Sequence, residues 1–65
     1  MNVYIEKDNK NLKLELDNVS GLKLLERLKI NSSSIILVRN NEVVLENEIL
    51  SDKDDVKILS VVSGG

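Results

Sequence analysis

Only one stretch of this 65-residue chain repeats its apolar residues at helical spacing, and segments that alternate with period two lie on both sides of it. Between Ser20 and Lys29, Leu22, Leu24, Leu25 and Leu28 fall within roughly half of a helical wheel at about 100° per residue, with Lys23, Glu26 and Arg27 on the other half. Ser20 is suited to cap the first-turn amides, and Lys29 sits at the negative end of the helix dipole. Gly21 is expected to be the weak point, since glycine costs about 1 kcal/mol against alanine inside a helix. Ten residues are too few to be helical alone in water, so this helix must pack on a sheet.

The strands that supply the sheet are legible on either side. Val3 and Ile5 alternate with polar neighbours, Asp8 to Asn11 interrupt, and Leu12, Leu14 and Leu16 alternate again, which predicts a hairpin with its aliphatics on one face. Asn31 to Ser34 reads as a loop. Ile35–Arg39 and Glu42–Glu46 are joined by Asn40-Asn41, a pair suited to the positive φ of a tight turn. Ile49 and Leu50 are an apolar anchor in a polar stretch, and Val56–Val62 is a last strand. One helix on a single mixed sheet of about five strands is a two-layer α+β domain, and 65 residues leave no room for a second.

Composition removes most chemistries. Twenty-five residues are Leu, Ile or Val, enough for an aliphatic core, whereas Cys, His, Trp, Phe and Pro are absent. Disulfides, thiol nucleophiles, imidazole bases and Cys/His zinc sites are therefore excluded, and the side chains are poorly equipped for catalysis. Nine Lys and Arg against eleven Asp and Glu give a net charge of −2 with the signs interspersed, and Tyr4 is the only aromatic residue. Nucleic acid is disfavoured as a partner, because phosphate binding needs clustered cations and single strands need stacking platforms. The longest apolar run is Ile35–Val38, far too short for a membrane span or a signal sequence, so a cytoplasmic protein without membrane contact is expected. Asp52, Asp54 and Asp55 lack the spacing, central glycine and closing glutamate of a calcium loop, and no metal site is expected there.

The chain ends in Ser63-Gly64-Gly65, directly after the last strand. A frayed end is the default for a terminus, but two glycines also make a thin, unrestricted tail. Its reach is about 10 Å at roughly 3.3 Å per residue, enough to enter a tunnel too narrow for side chains. Taken with Ser20–Glu26, the segment Ile36–Val44, the Asp-rich turn between Leu50 and Val56, and Val61-Val62-Ser63-Gly64-Gly65, this ending resembles the ThiS/MoaD family of ubiquitin-like sulfur carriers over nearly the whole chain. The family usually has a glycine in each of the two turns, whereas this chain has none. Asn41 and Asp54 are types that tolerate the left-handed backbone such turns require.

The resemblance implies a ubiquitin-like β-grasp fold, here one domain over residues 1–65 with 63–65 as a flexible tail. The last strand would lie beside the first and deliver Gly65 to an E1-like adenylating enzyme of the ThiF or MoeB type. Such a carrier is a substrate and not an enzyme. It binds no cofactor, while the partner consumes ATP to activate the Gly65 carboxylate, which becomes a thiocarboxylate. The acceptor would be a thiazole synthase in thiamine formation or the large subunit of a molybdopterin synthase. The free carrier is expected to be monomeric. The alternatives are a ubiquitin-like modifier, joined through Gly65 to lysines of target proteins, and a plain interaction module with an inert tail.

A docking surface should accompany the tail. Along the last strand Val56, Ile58, Ser60 and Val62 share one face, whereas Lys57, Leu59 and Val61 point to the other. Because one helix covers one face, Leu59 and Val61 are expected on the open side, joined by Val43 from the neighbouring hairpin.

Overall fold

The computed structural model describes residues 1–61; the predicted strand residue Val62 and the tail Ser63, Gly64 and Gly65 lie outside the described residues. The chain opens with a hairpin of β1 (Asn2–Ile5) and β2 (Lys10–Lys13), turning through Asn9 at φ 47°. Alternation is preserved past the end of β2. Leu14 exchanges backbone hydrogen bonds with Met1, and Leu12, Leu14 and Leu16 are half-buried against the core.

Two residues, β3 (Val19–Ser20), lead into the helix α1 (Gly21–Leu28), and Ser20 caps it by accepting from the Lys23 amide at 3.2 Å. The helix stops at Lys29, which is left-handed at φ 60°. Lys29 N–H donates to the Glu26 carbonyl and Ile30 N–H to the Leu25 carbonyl, so two carbonyls of the last turn are satisfied within the chain. Leu24 and Leu25 are fully buried and Leu28 is half-buried, but Leu22 is 40 % exposed. The buried stripe runs 21, 24, 25, 28, and Leu22 lies about 110° from its centre at 100° per residue, on the flank.

The loop expected at 31–34 contains a single 3-10 turn, Ser32–Ser34, capped by the Asn31 side chain. Then come β4 (Ile35–Arg39) and β5 (Glu42–Val44), joined by Asn40 and Asn41 at φ 51° and 69°, as their residue types predict. Strand β5 ends two residues earlier than its sequence suggests, because Leu45–Glu48 closes a turn in which Glu48 N–H donates to the Leu45 carbonyl. A short β6 (Ile49–Leu50) pairs with β3 in a separate two-stranded ribbon that the sequence does not announce. The chain finishes with β7 (Asp55–Ser60), and Val61 N–H extends the pairing to the Ser34 carbonyl.

The five-stranded sheet has the order β2-β1-β7-β4-β5, with β1 and β7 parallel and the other pairs antiparallel. The last strand is thus central, and its described C-terminal end is held by Ser60 N–H donating to the Glu6 carboxylate as well as by the Val61 bond. Helix α1 lies on one face over Val3, Ile5, Leu37, Val56 and Ile58, all buried, with Met1 and Leu50 closing the same core. No charged or polar side chain is buried among the described residues. One helix on a mixed sheet with its first and last strands parallel at the centre is the ubiquitin-like β-grasp architecture.

Gly21 has a role opposite to the one its helix propensity suggests. It is buried beneath the 45–48 turn, its N–H donates to the Glu48 carbonyl at 2.9 Å, and Leu22 N–H donates to the Glu46 carbonyl at 2.7 Å. A Cβ at position 21 would overlap Leu37 Cδ2 and come within 3.1 Å of the Glu46 carbonyl oxygen. Glycine is there because the turn passes too close for a side chain, and two unpaired amides at the helix start are satisfied in return.

Candidate functional site: the open face of the sheet

The period-two alternation that buries Val56 and Ile58 under the helix turns Lys57, Leu59 and Val61 to the other side. The register adds their neighbours. Leu59 is opposite Ile36, Lys57 is opposite Val38, and Val38 is opposite Val43. Ile36 and Val38 share one face of β4, so Leu59, Ile36, Val38 and Val43 form a continuous apolar area, with Val61 beyond Leu59. Exposure is 39 % at Ile36, 69 % at Val43, 70 % at Leu45 and 46 % at Val61, while Leu59 is half-buried.

Leu59, Val61 and Val43, singled out from sequence, therefore lie on one face, and the structure joins them through residues that sequence reasoning did not select. Ile36 was hidden in the unbroken apolar run Ile35–Val38, where no period is visible. Leu45 is exposed too, but it lies in the turn that ends β5 and lines a depression with Ile35, Leu37 and Val44 of the other side. Val38 is only 8 % exposed although no helix covers it, since Lys57 and Val43 flank it on both sides.

The Asp-rich turn proves to be a structural latch. Asp54 takes no left-handed backbone; instead its carboxylate accepts from the Ser51 amide at 2.8 Å and from the Asn40 side-chain amide at 3.1 Å. The Ser51 amide holds the Asp54 pKa below the usual 3.8; partial burial opposes this, and the Asn40 amide, the Ser51 hydroxyl and the Arg39 charge add to it. Asn40 also accepts from the Asp55 amide, and Asp52 N–H donates to Asp17. Arg39 donates to the Ile49 carbonyl at 3.0 Å and lies 4.0 Å from Glu48, so it ties β4 to β6. Among the described residues, no set of three or more His, Cys, Asp or Glu is arranged to hold a metal ion.

The profile of the ThiS family matches residues 2–65, all but the first residue of the chain. The protein belongs to the ThiS family. Members of this family are small sulfur carriers and not enzymes, consistent with a chain that has neither Cys nor His. Among solved structures, a thiamine biosynthesis protein (ThiS) from Geobacter metallireducens is similar in fold. It has 22 % sequence identity, a TM-score of 0.67 and coverage of all of both chains. Among the described residues of this ThiS-family protein, no helix is long and apolar enough to cross a membrane.

Proposed function

We propose that this protein carries sulfur as a thiocarboxylate on Gly65 for the thiazole ring of thiamine. A carboxylate is a poor electrophile. In this reading an E1-like enzyme consumes ATP to join AMP to the Gly65 carboxylate, with loss of pyrophosphate. A sulfide nucleophile then attacks the carbonyl and AMP leaves, so that one carboxylate oxygen departs with AMP and sulfur takes its place. Glycine at positions 64 and 65 leaves that carbonyl unhindered, and the reacting group belongs to the main chain.

The observation that carries this reading is the family match running through Gly65. The similar Geobacter protein is named for thiamine biosynthesis, which favours the thiazole pathway over molybdopterin synthesis. Support comes also from the open face: Leu59 lies on the last strand and Val61 directly follows it, and with Val43 and Ile36 they form an exposed apolar surface of the kind that marks a protein interface. The test is ATP–pyrophosphate exchange by the E1-like enzyme of the same genome. Exchange is expected with the full chain and not after deletion of Gly65, whose removal is expected to leave the melting temperature within about 2 °C because a tail makes few buried contacts. Exchange that persisted without Gly65 would overturn the proposal.

A further inference from the structure

Strand β7 outlasts its parallel neighbour at the centre of the sheet. Ile5 is paired with Ile58, and the last rung from the β1 side is the Glu6 N–H donating to the Ile58 carbonyl at 3.0 Å. Evenly spaced parallel bonding would next send the Ser60 N–H to the Glu6 carbonyl. That carbonyl is engaged in the hairpin turn, where it accepts from the Asn9 N–H at 3.1 Å as the chain swings away into β2. The Glu6 side chain takes its place, one carboxylate oxygen accepting from the Ser60 N–H at 3.0 Å. Among the described residues Glu6 has no cationic partner, so this amide is what the carboxylate holds. On the other side of β7 the Val61 N–H donates to the Ser34 carbonyl at 3.1 Å, in the turn that the Asn31 side chain caps. The end of the last strand is thus held from both sides by turn residues, and on the β1 side by a single side chain.

We infer that Glu6 is a positioning residue for the chemistry at Gly65: by holding the Ser60 amide it fixes the point and the direction in which the chain leaves the sheet. The assignment rests on the carrier reading above and adds a residue to it. With β7 held through Val61, four residues remain to Gly65, a reach of about 13 Å at roughly 3.3 Å per residue. Loss of the Ser60 bond gives the strand end a freedom that must be removed again each time the terminal carboxylate meets the adenylating site. Docking through Leu59, Ile36 and Val43 does not involve this bond. The effect therefore falls on how often a docked carrier presents its carboxylate in line, a matter of orientation and so of kcat rather than KM. The bond requires reach and an acceptor oxygen, not charge. Glutamine has both, whereas aspartate keeps the charge on a stem one methylene shorter.

The experiment pairs pyrophosphate exchange by the E1-like enzyme, at varied carrier concentration, with amide hydrogen exchange of the free carrier followed by NMR. Glu6→Ala and Glu6→Asp are expected to lower kcat by about threefold to tenfold, the worth of one net hydrogen bond, with KM for the carrier within about twofold of wild type. The Ser60 amide should exchange faster by a similar factor in both, while the amides of buried Val56 and Ile58 are unchanged. Glu6→Gln is expected to match wild type in every readout. A Ser60 amide that exchanges as in wild type in the Ala and Asp variants, or an unchanged kcat in them, would overturn the assignment. So would the reverse order, with Glu6→Asp active and Glu6→Gln impaired, which would mark Glu6 as a charge contact with the enzyme. These outcomes leave the carrier reading intact, whereas absence of pyrophosphate exchange with the wild-type chain would remove that reading and the assignment with it. If thermal melting shows Glu6→Ala to be unfolded, Glu6→Asp decides on the same two readouts.

Discussion

Replacing Gly21 by alanine puts two effects of opposite sign in direct competition. Helix propensity favours alanine by up to about 1 kcal/mol, less in a first turn whose amides already have partners. Against this, the new Cβ would overlap the Cδ2 of buried Leu37 and stand 3.1 Å from the Glu46 carbonyl oxygen and 3.2 Å from the Glu46 Cα. Leu37 is 3 % exposed and its side chain has little room to retreat, while the Glu46 backbone is held by the Leu22 amide at 2.7 Å. Overpacking of this kind costs about 1 to 3 kcal/mol, so the net expectation is a loss of about 1 to 2 kcal/mol. For a domain of this size each kcal/mol is worth about 4 to 8 °C in melting temperature. Thermal and urea melts followed by circular dichroism read the effect. A Leu37→Val background should reduce the cost of Gly21→Ala by at least about 0.5 kcal/mol, since the two residues share the same space. A Gly21→Ala protein as stable as wild type, or more so, would refute the reasoning, because propensity would then have outweighed the close approach.

Four further substitutions have expected outcomes. Asp54 has a folded pKa below its unfolded value, so its stabilising contribution is fully present above about pH 3.8 and is lost as pH falls through the lower, folded value. Asp54→Ala should therefore cost about 1 to 2 kcal/mol at pH 7 through the lost acceptor, and the difference from wild type in urea melts should narrow below that pH; a gap independent of pH would contradict the linkage. Lys29 holds a left-handed backbone at φ 60°, which a side chain disfavours, so Lys29→Gly should raise stability by about 0.5 to 1 kcal/mol in the same melts. Leu59→Glu should weaken docking to the adenylating enzyme at least tenfold while costing less than about 1.5 kcal/mol of folding stability, whereas Leu25→Ala, at a fully buried position, should cost about 2 to 5 kcal/mol.

The alternation of Val3 and Ile5, the periodicity of Leu24, Leu25 and Leu28, and the Asn40-Asn41 turn were readable because each depends on local rules of spacing and backbone preference. What was not readable depends on segments distant in sequence. Gly21 reads as a defect until the 45–48 turn is seen to press on it. The pairing of Val19–Ser20 with Ile49–Leu50 joins two segments about thirty residues apart, each too short to show a period. Leu22 has the spacing of the buried stripe yet lies at its flank, a distinction set by where an eight-residue helix crosses the sheet. On the candidate docking face, the side occupied by Leu59, Val61 and Val43 followed from alternation, while the inclusion of Ile36 needed the register with Leu59.

Whether Gly65 carries the sulfur is read from C-terminal fragment mass spectrometry of the protein isolated from its own cells. The expected Gly64-Gly65 fragment has one oxygen replaced by sulfur, a shift of about 16 mass units. Oxidation of Met1 gives the same nominal change at the other end of the chain, so the shift must be located within the fragment and not only in the whole protein. A C-terminal fragment never found with sulfur, or one in which Gly65 is joined to a lysine side chain of another protein, would contradict it.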